Sequence, residues 1–424
     1  MIQFKSDHLN ITPNESCRLT GMSDEQISIG IYNTLELNVV MFKDELDKII
    51  IFSIDTLFIS KELSNFVKEE IKKYNTGLSE NNIILIASHT HYAPSLEEKR
   101  YALGRKDEAY FTYLKDKLSI FLFNFLSDEQ FHELVQVELN ILKSSKLTSN
   151  RRRKVRVFKD LFKLVVSMEP NLNGFKNEEI KVIKFYKNSE LIPNLVFWSL
   201  PCHLTNLHVN NLISSEFPGL IREDIRNKMS NAKLNVLYFP GFAGDVRAYP
   251  PVRSFMKRKL RDVLKLSYPV NYYRFINERE YLSWYEKLNY QFWKTWNSNS
   301  VKKFVNEKVI EVKTCKLQIK ELGIKSEYVE EIIFRKIMIG NLFSLLTISA
   351  EPVSIFNKII ENINQDDFNI CTGYADEVFG YLPSNKYIEE GGYEAEGYFS
   401  NFLISGKFIK NIEEKVAEAI SKLN

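Results

Sequence analysis

No apolar stretch in the 424 residues approaches the roughly 18–20 positions needed to cross a bilayer as a helix. The start, MIQFKSDHLNITPNES, lacks a basic segment followed by a continuous apolar one. A cytoplasmic protein is expected. Cysteine is sparse: Cys17, Cys202, Cys315 and Cys371 lie far apart with no CxxC pair. That spacing excludes a disulfide framework and a thiolate zinc site, so any metal must rest on nitrogen and oxygen ligands. Charge of one sign is also lacking. Lys and Arg number 57 against 54 Asp and Glu, a net +3 that argues for no nucleic acid and no anionic membrane as partner. A small or weakly charged partner fits better. The chain has no fixed-period repeat or low-complexity tract, and it carries no signal for oligomeric state.

What is present is a globular composition, 44% hydrophobic and 13% aromatic. Short apolar runs at 49–54 (IIIFSI), 83–87 (IILIA), 195–200 (LVFWSL), 235–239 (NVLYF) and 343–348 (FSLLTI) predict strands covered on both faces. Amphipathic helices are predicted over 61–74, 111–126, 218–230, 253–266, 353–363 and 407–423. The expected class is α/β, a mixed buried sheet flanked by helices. Residues 268–296 hold eleven aromatics in 29 positions. Within that stretch Tyr281, Trp284, Leu288, Phe292 and Trp296 fall three or four apart, the spacing of one helix face. The segment reads either as a helix packed on the core or as a lid or wall for an apolar substrate.

Histidine is scarce too, six in all, yet two stand one residue apart in LIASHTHYAP at 85–94. In open α/β sheets ligands bind beyond the carboxyl ends of strands. His89 and His91 follow the run at 83–87, His203 follows 195–200, GFAGDVR at 241–247 follows 235–239, and Glu351 follows 343–348. GYADEVFGYLPS at 373–384 follows the apolar run FNIC. Imidazoles and a carboxylate in this supply suffice for zinc. An HxH pair can equally stabilise a turn, so the residues alone lead only as far as a candidate metallohydrolase.

The motifs IASHTHYAP, TSNRR, LPCHLTNLHVNNLISSEFPG, GFAGDVR, ISAEP and GYADEVFGYLPS, in that order, resemble the neutral/alkaline (non-lysosomal) ceramidases, which are zinc-dependent amidases. The likeness spans 83–384 and implies one ceramidase-like catalytic domain over 1–424, with an aromatic-rich insertion or lid at about 268–310. The immunoglobulin-like C-terminal domain of the longer ceramidases is not expected. By resemblance, the zinc ligands are His89, His203, Glu351 and Tyr381. His91 is expected beside the metal, Arg151 in TSNRRR is expected to hold substrate, and the proton is handled by His91 or Asp245. Such a set would bring a zinc-bound water towards a pKa of about 7.

One departure stands out. Where the family reads GDVS, with the serine assigned as nucleophile, this chain reads Gly244-Asp245-Val246-Arg247. A guanidinium cannot serve as that nucleophile, and beside a metal it seeks an anionic group. The expected function is therefore zinc-dependent hydrolysis of an amide or ester in an N-acylated substrate, small or lipid-like, with water attacking and Arg247 or Arg151 holding a polar or anionic group. A ceramidase that works without the serine, and a zinc-containing binding protein without catalysis, are the alternatives.

Overall fold

The computed structural model describes residues 1–21, 26–157, 160–187, 192–250, 275, 277–304, 309–363 and 369–423. The five expected strands are present at Lys48–Ile54, Ile83–Ala87, Leu195–Ser199, Asn235–Phe239 and Phe343–Ile348. They divide among three mixed sheets. Strand Ile83–Ala87 runs parallel to Lys48–Ile54 at the edge of the first. Asn235–Phe239 runs parallel to Leu195–Ser199 in the second, and Ile370–Thr372 runs parallel to Phe343–Ile348 in the third. The remaining pairings in these three sheets are antiparallel.

Burial of both faces explains why the runs are apolar at most positions of either parity. Ile49 and Ile51 face one core with Ile84, Ile86, Leu195, Phe197, Leu237, Phe239 and Leu345, where all three sheets meet. Ile50, Phe52, Leu85 and Ala87 face a second core, covered by helices Lys61–Lys72, Glu108–Ser127 and Ile412–Ser421. Val196, Trp198, Val236 and Tyr238 face a third. Tyr281, Trp284, Leu288, Phe292 and Trp296 of helix Glu278–Trp296 are buried in that third core, with Trp198 edge-on to Phe292 at 5.3 Å. The part of the aromatic stretch at 268–274 and the helix expected over 253–266 lie outside the described residues.

Helix boundaries move for identifiable reasons. The helix expected from 111 starts at Glu108 because Asp107 Oδ1 accepts the Tyr110 amide at 3.0 Å. The helix expected over 218–230 spans Glu216–Lys228 and stops before Ser230, which has φ +49°. The one expected over 353–363 begins only at Phe356, after tight turns in which the Phe356 and Asn357 amides donate to Val353 O and Ser354 O. The last, expected from 407, begins at Ile412: the amides of Lys407 and Ile409 pair with the carbonyls of Gly323 and Leu322. Among the described residues no helix is long and apolar enough to cross a membrane.

Candidate metal centre

The ends of the three sheets are stitched together where the chain leaves them. Thr90 bridges Leu204 in parallel, Ile86 bridges Ala375, and the His203 amide donates to Val246 O at 3.0 Å. Glu351–Pro352 pairs in parallel with Tyr381–Leu382, with Glu351 opposite Tyr381. These crossings place His89, His91 and His203 so that one ring nitrogen of each lies within 4.8 Å of the others. His89 itself takes φ +65°, a left-handed conformation uncommon outside glycine.

The tautomers follow from the partners. His89 Nδ1 lies 3.0 Å from Leu57 O, His91 Nδ1 2.9 Å from Gly21 O, and His203 Nδ1 2.6 Å from Ala243 O. A carbonyl oxygen can only accept, so each Nδ1 carries a proton, and in the neutral ring that leaves the lone pair on Nε2. Arg151 Nη1 donates to His203 Nε2 at 3.2 Å, as that tautomer requires. Burial, aided by neighbouring cations, holds His91 and His203 well below the ordinary imidazole range, so both are neutral. His89 Nε2 and His203 Nε2 lie 3.3 and 3.6 Å from Glu351 Oε2. His89 Nε2, His91 Nε2 and Glu351 Oε2 are all buried without a hydrogen-bond partner among the described residues. Fixed outer nitrogens, open inner lone pairs and a carboxylate among them fit a divalent ion that takes nitrogen and oxygen donors.

The other expected site residues have distinct surroundings. Tyr381 is buried beside Glu351, with the Arg151 guanidinium 5.4 Å above its ring. Arg151 is also buried and donates through Nε to Glu394 Oε1 at 2.6 Å. Burial opposes its charge, and Tyr381 and Glu394 outweigh that, raising the guanidinium above its usual value. Arg247, opposite Ser149, is half-buried between buried neighbours, and its charge acts on both His91 and His203. Asp245 is engaged by other groups. Its Oδ2 accepts from Asn150 Nδ2 at 2.7 Å, Tyr387 Oη at 2.6 Å and Ser354 Oγ at 3.1 Å. With Oδ1 on the Ser354 amide, both oxygens are engaged, and burial pushes the carboxyl up. The basic run at 151–156 is part of strand Thr148–Val157, where Arg151 and Arg152 both reach Glu394.

Three further residues shape the site. Gly21, at φ +79°, brings its carbonyl to His91, and a Cβ there would run into the His91 ring. Tyr374 stacks on His89 with ring centroids 4.2 Å apart. Glu216, buried with φ +57°, accepts from the amide and Nδ2 of Asn206, whose Nδ2 also donates to His203 O at 2.8 Å. The motif context TGM, GYAD and SSEFPG contains all three, but no spacing rule marks them. Glu394 carries no signal in the sequence, because its role depends on a partner 243 positions away.

No family model matches the chain, and no curated protein matches it. Solved structures that share its fold include two ceramidases. One is described as a neutral ceramidase from Pseudomonas aeruginosa, with TM-score 0.71 and 13% identity over 100% of this chain and 74% of that one. The other, described as a ceramidase complexed with C2, gives TM-score 0.69 and 13% identity over 100% of this chain and 75% of that one.

Proposed function

We propose that this protein is a zinc-dependent hydrolase that cleaves the amide bond, or an equivalent ester, of an N-acylated substrate bearing a polar or anionic group. The observation that carries the reading is the clustering of His89, His91 and His203, one ring nitrogen of each within 4.8 Å of the others, with His89 Nε2 and His203 Nε2 3.3 and 3.6 Å from Glu351 Oε2. The fold shared with proteins described as ceramidases supports the choice of an acyl bond. His89, His203 and Glu351 hold the ion, with Tyr381 completing the set. When bound, zinc supplies acidity to water and polarises a carbonyl.

The remaining steps belong to the chain. His91 is more exposed than His89 and His203, and it is neutral with its Nε2 open. It takes the proton from the attacking water and returns it to the departing amine. Arg247 has no hydroxyl to attack with, so water is the nucleophile, and the guanidinium fixes the substrate's anionic group. Arg151 orients the reacting end from the buried side. Asp245, with its lone pairs committed, positions the Asn150–Arg151 segment rather than moving protons.

A second reading, ceramide hydrolysis without the serine, is favoured by the shared fold. Zinc content and one substrate panel separate the two. The purified chain is expected to hold about one zinc, lost in His89→Ala/His203→Ala, and to release amine from N-acyl amino acids faster than sphingoid base from ceramide. Preference for ceramide selects the second reading. A wild-type chain that binds no zinc removes both.

A further inference from the structure

Tyr374 is a buried side chain that the metal set does not use. Its φ of +60° is one that bulky residues seldom adopt. The backbone is held there from both sides: its amide donates to Ala350 O at 2.9 Å, and its carbonyl accepts from Ala87 N at 3.0 Å. Ala87 and Ala350 are the residues from which the chain proceeds to His89 and Glu351, so the strained residue is wedged between the segments that deliver them. Its ring lies against the His89 imidazole with planes 29° apart.

The hydroxyl is the unusual part. Tyr110, Tyr238 and Tyr398, equally buried, each donate to a backbone carbonyl at 2.9 Å. Tyr374 Oη is buried with no hydrogen-bond partner among the described residues. Tyr281 shares that lack, but it packs among Tyr32, Phe275 and Trp284 in the aromatic core cluster. Burial raises the Tyr374 phenol well above its ordinary value, and Glu351 is the next largest influence, followed by Tyr381 and Arg151. The hydroxyl is therefore a buried neutral donor on a ring that lies against the His89 imidazole. A strained backbone that holds an unused donor beside a reactive centre is the arrangement expected of a group awaiting a substrate acceptor.

We propose that Tyr374 is a catalytic residue whose Oη–H donates a hydrogen bond to the carbonyl oxygen of the scissile acyl group as that oxygen gains negative charge. The inference rests on the hydrolase reading above. No bond to Tyr374 forms or breaks, and the phenol keeps its proton.

Tyr374→Phe keeps the ring against His89 and removes only the donor. Relative to wild type, kcat for an N-acyl amino acid should fall about 100-fold with KM within about twofold. Octanohydroxamic acid should bind the zinc-loaded variant about 10-fold more weakly, while zinc content stays the same. The metal-free variant should melt about 1–3 °C higher, because an unsatisfied buried hydroxyl is gone. Equal kcat and equal hydroxamate affinity in variant and wild type, both zinc-loaded, would overturn the proposal. So would a variant that loses zinc and melts lower, since Tyr374 would then be structural. A wild-type chain without zinc sinks the hydrolase reading instead, which keeps the two failures distinct. If wild type binds zinc but turns over no N-acyl amino acid, the hydroxamate comparison decides.

Discussion

Around Arg222, buried charges are fully answered: Nη2 donates to Asp55 Oδ2 at 2.7 Å, Nε lies 3.1 Å from Glu36 Oε2, and Arg226 closes on Glu36 Oε1 at 2.7 Å. Around His89, the polar atoms are as deeply buried, yet His89 Nε2 and Glu351 Oε2, 3.3 Å apart, have no hydrogen-bond partner among the described residues. The first group ties helix Glu216–Lys228 to the first sheet, and its electrostatics show it: burial opposes the charge on Glu36, yet the two arginines hold it down to about 2. The second group stabilises nothing by itself. Buried polar atoms are ordinarily paired, so an unanswered set fixed by backbone partners marks a place for a ligand.

The contrast can be tested first through pH. Glu216 belongs with the answered groups, but burial pushes it up to about 8, with its Asn206 donors only partly offsetting that. Below about 4.5 it is protonated in both folded and unfolded chains and has no effect. As pH rises from about 4.5 to about 8 the unfolded chain loses the proton first, so stability falls by as much as about 5 kcal/mol, then levels. His91 and His203, held below 6.5, act in the opposite sense: the folded state is weakened as pH falls below that value. Thermal melts of Glu216→Gln against wild type isolate the carboxyl. The variant should be the more stable at pH 8.5, with the gap closing by pH 4.5.

Next in size, Arg222→Leu leaves Glu36 and Asp55 buried without their shared cation and should cost about 3–5 kcal/mol in urea unfolding. The smallest stability effect is expected at the other pole. Glu351→Gln should abolish zinc binding, yet change the unfolding free energy of the metal-free chain by less than about 1 kcal/mol, because no ion pair of the Arg222 kind is broken. A loss as large as that of Arg222→Leu would place Glu351 among the structural carboxylates and erase the distinction.

The strands were legible because residues 49–52 and 236–239 are apolar at successive positions, which double-sided burial explains. The helix ends were less so, since Asp107, Ser354 and Gly323 decide them through contacts that periodicity does not register. For the site, chemistry was legible where residue type is restrictive: His89, His91 and His203 stood out by rarity and strand-end position. Asp245 illustrates the limit. An acidic residue in a motif could have been a proton carrier, and only its donors, from residues 95 and more than 100 positions away, show its lone pairs to be spent.

The sequence by itself determined which segments must be buried and that a guanidinium stands at 247 where a hydroxyl was expected. Those are properties of single residues and of local pattern. The tertiary structure decided which acceptors are left unanswered, because a hydrogen bond is a relation between groups far apart in the chain. The Leu57, Gly21 and Ala243 carbonyls fix the imidazoles, and Tyr374 is held with its donor unused, only once three sheets have met at one end.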